Sequence, residues 1–448
     1  MLLKSAFEST YLSRRPLVSS GFRLDEHVTF LNEQVDRHHA WFSQCLPMIA
    51  SENVISPMAR EMLLTDFGDR YAEGLPHERY YQGNTFVDEV EDRVVALAKE
   101  IFRVRHVDPR LISGTVANMA VYFALLEPGD IMTSVALSHG AHISSAKFGA
   151  AGMRAVHNVN YPFDLDRMNI DVDETAKLIR HVKPKVAAFG QSVFLFPTPL
   201  RELQDAFQEA DCDVWYDGAH VLGLIAGGQF QDPLHEGADV LTGSTHKTLP
   251  GPQHGILLSD SDDEKFIKRL QRAVFPGVVS NHHLHAMAAL GVTLAEFLAF
   301  GRDYAAQIVR NAKALAQAIH ERGIKVLAEK HGFTQSHAIA LDVAAFGGGA
   351  KVAANLEKAN IITNKNLLPW DTSPVKPSGV RLGTQELTRL GMKEAQMREV
   401  ADLLARVVVK GDPAEGVATD VASMRKEFNT VHYCFTKGAE AHRRWRIA

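Results

Sequence analysis

Cysteine is scarce in this 448-residue chain: Cys45, Cys212 and Cys434 lie far apart and show no CxxC spacing. That excludes a disulfide framework and a cysteine-built zinc site, and fits a reducing compartment, the cytoplasm. Positive charge is not in excess either. Lys and Arg number 48 against 53 Asp and Glu, a formal net charge of −5. Such a balance gives no reason to expect nucleic acid or an anionic membrane surface as partner. No uninterrupted apolar run reaches the roughly 18 residues of a membrane helix. Repeats and low-complexity stretches are absent as well. Histidines cluster at His38-His39 and at His282-His283-His285, but no cysteine or carboxylate recurs at ligand spacing, so no metal is expected. The N-terminal stretch MLLKSAFESTYLSRRPLVSSGFR holds Ser and Arg with Glu8 as its one acidic residue, a composition faintly like a transit peptide. It lacks the apolar centre of a secretory signal and is expected to be an arm that packs on a neighbour or is mobile.

What is present is an ordinary globular composition, 46% hydrophobic and 23% charged, on a chain long enough for a substantial core. Helical periodicity runs from about Leu24 to Phe42 and from Val87 to Val104. Between them and Phe275, short apolar runs alternate with amphipathic stretches. The runs are DIMTSVALS, VAAFGQSVFLF, CDVWYDG, ADVLTGS and HGILLS, each read as a buried strand. This predicts an α/β large domain with a mostly parallel central sheet covered on both faces. After Phe275 a long helical segment from His285 to Ala318 leads into GIKVLAEK, HAIALDVAAF, NIITNKN and GVRLGT, a smaller C-terminal α+β domain. The expected division is an arm and helix over 1–45, a large domain over 46–290 and a small one over 291–448. The Gly347-Gly348-Gly349 run is a turn before a helix, without phosphate-loop spacing.

In a parallel α/β sheet, active sites lie beyond the carboxyl ends of the strands. VWYDGAH ends one strand in Asp217, and DVLTGSTHK ends another in Lys247. A carboxylate and an amine on one rim suit pyridoxal 5'-phosphate: the lysine forms an imine with the aldehyde, and the aspartate keeps the pyridine nitrogen protonated. Ser113-Gly114-Thr115 opens a helix, where amides, hydroxyls and the dipole favour a phosphate. His142, after a strand, suits a ring stacked on the pyridine, and His220 a place beside the cofactor's hydroxyl; His246, next to Lys247, joins the cofactor-binding set. Arg381, after a small-domain strand, is a candidate clamp for an α-carboxylate. The loop rich in Ser51, Glu52, Asn53, Tyr71, Glu73, Arg79, Tyr80 and Tyr81 is read as part of the site.

In order and spacing, IASEN, YAEGLPHERYYQGN, SGTVAN, YDGAH, GSTHKT, FPGVVSNHHLH, NKNLLPWD and GVRLGT resemble serine hydroxymethyltransferase, with the fuller motifs nearest its archaeal-type branch. The likeness runs from about Trp41 to Leu404. It implies a pyridoxal-phosphate-dependent fold type I homodimer whose active sites are shared between subunits. By motif position Lys247 is the Schiff-base lysine, Asp217 the pyridinium partner and His142 the stacking ring. Ser113, Gly114, Thr115 and Ser192 line the phosphate or its neighbourhood, and Arg381 holds the substrate carboxylate with Ser51 nearby. Tyr71, Glu73 and Tyr81 come from the partner chain, Glu73 as acid–base group near the substrate hydroxyl and the pterin. The substrates implied are serine, glycine and a tetrahydropterin. Three features depart from the common branch: Val278-Val279-Ser280-Asn281 after FPG, Trp370 where a pterin-reading asparagine stands, and His254 after GPQ. Two other functions stay open: a pterin-independent threonine or β-hydroxy amino acid aldolase or transaldolase, and an inactive scaffold.

Overall fold

The computed structural model describes residues 24–373 and 375–445, so the expected N-terminal arm lies outside the described residues. A helix over Leu24–Phe42 comes first, as its periodicity predicts. The large domain is built on seven strands: β1 His106–Asp108, β2 Ile131–Ser134, β3 His157–Asn160, β4 Val186–Phe189, β5 Asp213–Asp217, β6 Val240–Ser244 and β7 Gly255–Ser259. Their order in the sheet is β1-β7-β6-β5-β4-β2-β3. From β6 to β3 every neighbouring pair is parallel. β7, expected among the parallel runs, instead lies antiparallel to both β6 and β1. The segment joining β6 to β7 contains no helix, and without a crossover a strand can only return antiparallel.

Alternation along each strand assigns its two faces. Val214 and Tyr216 join the core with Phe102, Ile179, Phe207 and Leu294. Trp215 points the other way, into a core with Val121, Leu125, Phe266 and Leu270. Both faces are thus apolar, which is why these runs read as continuous rather than alternating sequence.

The smaller sheet has order β8-β9-β11-β10, all antiparallel, with β8 Lys325–Val326, β9 Ala338–Asp342, β10 Asn364–Asn366 and β11 Gly379–Gly383. Its core includes Leu46 and Met48, because Leu46–Pro47 pairs in parallel with Ile361–Ile362. A helix over Leu284–Glu321 joins the two domains. Met287, Leu290 and Leu294 pack into the large-domain core, and Ala312, Leu315 and Ile319 into the small one. By length and composition this helix could cross a membrane, yet 61% of its most apolar window is buried inside the protein. Polar residues such as Thr293, Glu296 and Gln307 interrupt it, and each of them is itself buried.

Leu290 is fully buried on this shared helix. Leu290→Ala is expected to cost about 2–5 kcal/mol by transfer and cavity terms together, read as a lower urea midpoint.

Candidate active site

Four strand ends meet on one rim. Parallel pairing of β5 with β6 sets Asp217 opposite Thr242, and Lys247 follows β6 by three residues. The loop after β2 brings His142, and the loop after β4 brings Gln191 and Ser192. A helix over Gly114–Leu125 points its first turn at the same place, with Ser113 as N-cap accepting from the Val116 amide. Ser113, Gly114, Thr115, His142, Asp217, His220, His246 and Lys247 all line one cavity of about 190 Å³. Two glycines allow this closeness. A Cβ on Gly114 would lie 2.1 Å from Ser244 Oγ, and one on Gly190, at φ +137°, 2.4 Å from the Asp217 carbonyl oxygen.

Charge in the cavity is governed by burial. Lys247 is pushed from its ordinary 10.5 to about 8 by desolvation, with Asp217 opposing and Arg381 adding to the shift. Desolvation also lowers His246 to about 4, with Lys247 contributing. His220 is driven well below its ordinary value by burial and by the nearby Lys247 and Arg381. His142 moves down for the same first reason, although Asp217 opposes it. Asp217 Oδ2 accepts a 2.7 Å hydrogen bond from Asn118 Nδ2, and its Oδ1 accepts the Ala219 amide at 3.0 Å.

Arg381 reaches the rim from β11. Its Nη1 donates to the Ser192 carbonyl at 2.8 Å and its Nε to Asn364 Oδ1 at 3.2 Å. Burial lowers it to about 10. Among the described residues no carboxylate lies within ion-pair distance of it. Ser192 meets Arg381 through its backbone and is not part of the cavity wall; Gln191 is. Ser51 lines a neighbouring cavity that shares His246 with the first. Tyr71, Glu73 and Tyr81 do not line the Lys247 cavity of their own chain. Tyr71 and Tyr81 pack edge to face at 5.0 Å and stay about half exposed. Their loop is fastened by the buried Arg79, which donates to Asp88, Glu91 and the carbonyls of Ala72 and Gly74.

The departures have structural partners. Asn281 accepts from the Ala72 amide and donates to the Arg70 carbonyl, so it braces that same loop. His254 is fully buried and hydrogen-bonds the Pro109 carbonyl at 2.6 Å. Trp370 lies beneath Lys325, 5.0 Å from its ammonium, outside the Lys247 cavity. Among the described residues no group of three potential ligands could hold a metal ion. Sequence reasoning missed Asn118, Gln191 and Ser244 in the wall. Asn118, four residues after Gly114, lies on the helix face that Gly114 presents, and that spacing was the available signal. His337, whose ring stacks on His220 at 5.7 Å, carried none.

These groups fit pyridoxal phosphate: a partly desolvated amine, a carboxylate held by two donors, and a helix start with two hydroxyls. A solved L-threonine transaldolase from Pseudomonas fluorescens, in its internal aldimine state, matches with a TM-score of 0.85 and 29% identity, covering 92% of this chain and 94% of that one. The fold is that of a pyridoxal-phosphate-dependent enzyme of fold type I. A family profile described as serine hydroxymethyltransferase matches residues 24–404. A serine hydroxymethyltransferase of Picrophilus torridus is 57% identical, covering 91% of this chain and 94% of its own. One of Methanopyrus kandleri is 54% identical, covering 94% and 99%. The chain belongs to the serine hydroxymethyltransferase family.

The lowered Lys247 has a stability signature. The unfolded chain binds this proton more tightly, so the penalty on the fold is full below about pH 8 and gone above 10.5. In cofactor-free protein, Lys247→Met is expected to raise stability by up to about 3 kcal/mol near neutral pH. The gain should shrink as pH rises through that window, measured by urea unfolding of both proteins.

Proposed function

We propose that this chain reversibly transfers the hydroxymethyl group of L-serine to a tetrahydropterin, tetrahydrofolate or tetrahydromethanopterin, giving glycine. Family membership supports it, and so does the one observation on which the reading of the site rests: Lys247, Asp217 and a buried Arg381 with no counter-ion among the described residues converge on one rim. Bound pyridoxal phosphate supplies an electron sink for the carbanion left when the Cα–Cβ bond breaks.

The chain's own groups do the rest. Lys247 would hold the cofactor through its aldehyde, and when free its amine, lowered to about 8 by burial, can attack and take up protons near neutral pH. With the cofactor bound in this cavity, Asp217 would partner the ring nitrogen, His142 would cover the ring and His220 would serve the ring hydroxyl. Ser113, Gly114 and Thr115 receive the phosphate. Arg381 captures the substrate carboxylate, oriented by its bonds to Asn364 and Ser192, with Ser51 close by. Glu73, with Tyr71 and Tyr81, serves the active site of a second copy in a homodimer. The exposed Tyr71, Tyr80 and Tyr81 on that loop, with Phe86 in the first turn of the helix after it, favour that reading, since large apolar side chains left in water suit an interface. Glu73 moves the proton between the substrate hydroxyl and the pterin. Three free thiols suit a cytoplasmic location.

The second reading, aldol transfer without a pterin, is favoured by the likeness to the transaldolase. Formaldehyde released from serine benefits from capture by a pterin amine, whereas acetaldehyde from threonine needs no acceptor. Serine cleavage is therefore expected to be slow alone and strongly accelerated by one of the two pterins, assayed side by side. Threonine cleavage should be indifferent to both. Acceleration by neither pterin, with a new β-hydroxy amino acid formed from threonine and an added aldehyde, would establish the transaldolase instead.

Arg381→Ala is expected to cost about 2–5 kcal/mol of transition-state stabilisation, roughly 30-fold to several thousand-fold in kcat/KM for serine. Arg381→Lys should also be poor, because an ammonium cannot reproduce the planar fork. Unchanged kcat/KM in both would remove Arg381 from the substrate site.

A further inference from the structure

Behind the cavity wall lies a chain of hydrogen bonds whose direction is fixed at both ends. The buried Trp215 Nε1 donates to Thr242 Oγ1 at 2.9 Å. Thr242 Oγ1 donates in turn to Asn118 Oδ1 at 2.8 Å. The Asn118 amide then donates to Asp217 Oδ2 at 2.7 Å and to Ser144 Oγ at 3.1 Å. An indole N–H can only donate, and an ionised carboxylate can only accept. The threonine must therefore pass its proton forward, and the amide cannot turn over without setting its oxygen against a carboxylate. At Ser144 the chain continues: the Ser144 amide donates to His142 Nδ1 at 3.2 Å, and the hydroxyl lies 2.9 Å from the same nitrogen. His142 Nδ1 is thereby an acceptor, which leaves the ring proton on Nε2. Trp215, Thr242, Asn118 and Ser144 are all buried.

We propose that Asn118 is a positioning residue. One amide fixes the carboxylate of Asp217 and, through Ser144, the tautomer and setting of the His142 ring. Two faces of the cofactor site, the edge at the ring nitrogen and the plane above the ring, are set by a single side chain. Its own orientation comes from Thr242 and Trp215, which lie outside the cavity. A fully satisfied network of this kind specifies one arrangement, and half of it would be worse than none. The inference rests on the reading that Asp217 and His142 face the cofactor.

Two variants of the holoenzyme test it, with the cofactor dissociation constant read from visible absorbance on serial dilution. Asn118→Leu keeps the volume and removes every bond; cofactor affinity and turnover should each fall about 10- to 100-fold, the usual scale for losing a group that orients a ligand. Asn118→Asp sets a carboxylate against Asp217 at high pH. Once protonated, it regains one donor and one acceptor in the asparagine pattern. Its cofactor affinity should thus approach that of the parent in acid and fall as pH rises. The titratable groups facing this cluster are Asp217, His142, His220, His246 and Lys247 from the strand-end loops and Tyr122 on the helix. The parent measured alongside removes their contribution. Parent-like affinity in Asn118→Leu, or an Asn118→Asp deficit that does not change with pH, would overturn the proposal. Should Asn118→Asp not fold, Thr242→Val takes its place: it leaves Asn118 Oδ1 without its donor and Trp215 Nε1 without its acceptor, so a parent-like dissociation constant would be equally fatal. Asp217→Asn separates the two levels. If it alone leaves the cofactor as tightly bound and turnover as fast as in the parent, the reading of Asp217 fails. If it is damaging while the Asn118 variants are not, only the positioning role fails.

Discussion

Parallel pairing of β5 with β6 is the constraint on which the rest of this molecule depends. It brings a carboxylate and an amine, thirty residues apart in sequence, to one rim of a sheet that is apolar on both faces. The same burial that drives the sheet together strips water from Lys247 and the histidines beside it. Loss of solvent is the largest influence on each of them. Hydrophobic packing therefore does more than stabilise the scaffold. It sets the protonation state of the groups that the reaction needs, because a charged amine is disfavoured wherever solvent is excluded.

The small domain answers a different requirement. A guanidinium cannot neutralise itself by losing a proton near pH 7, so a buried arginine needs acceptors or an anion. Arg381 finds a carbonyl and an amide oxygen but no carboxylate among the described residues. Its strand is tied to the opening segment of the chain, since the Gly383 amide donates to the Met48 carbonyl and His337 bonds the Ala50 carbonyl. Ser51 follows directly. The segment carrying IASEN is thus held by the domain that supplies the clamp, although it precedes that domain in sequence by hundreds of residues. The shared helix couples both to Lys247: Asn53 Nδ2 donates to the Lys247 carbonyl and to Tyr304 on that helix.

Most of this was legible in the sequence, and what was not has a physical reason. Buried strands and amphipathic helices write their period into the chain, so CDVWYDG, ADVLTGS, HGILLS and the helix from Leu284 came out close to their bounds, whereas DIMTSVALS and VAAFGQSVFLF run on past strands of four residues each, and β1 and β3 were not read. The antiparallel direction of β7 was not read either, because direction depends on the connection and not on the strand's own residues. Strand-end chemistry located Asp217, Lys247 and the helix start at Ser113. Asn118 escaped although its spacing from Gly114 sets both on one helix face, and Ser244 escaped because a polar residue inside a strand looks like any other until its partners are known. Ser192, expected at the phosphate or its neighbourhood, gives its carbonyl to Arg381, a backbone contact that no sequence records. Leu46 and Met48 join the small-domain core through a parallel pairing with Ile361 and Ile362, a contact too distant along the chain for any local pattern to carry.

The departures from the common branch fall on supports rather than on the rim. Asn281 braces the loop of Tyr71, Glu73 and Tyr81, and that loop's other anchor is the buried Arg79 with Asp88 and Glu91. His254 fastens the turn before β7 to the Pro109 carbonyl, beside the segment that leads into Ser113. Each is one way of satisfying a backbone group that burial would otherwise leave unpaired. A different side chain could satisfy such a group, provided the geometry at the rim is kept. Trp370 is the exception in kind, a half-exposed ring held beneath Lys325 at the edge of the small domain. It supplies surface and no hydrogen-bond acceptor, so a pterin reaching it would be recognised by contact area and not by its pattern of donors.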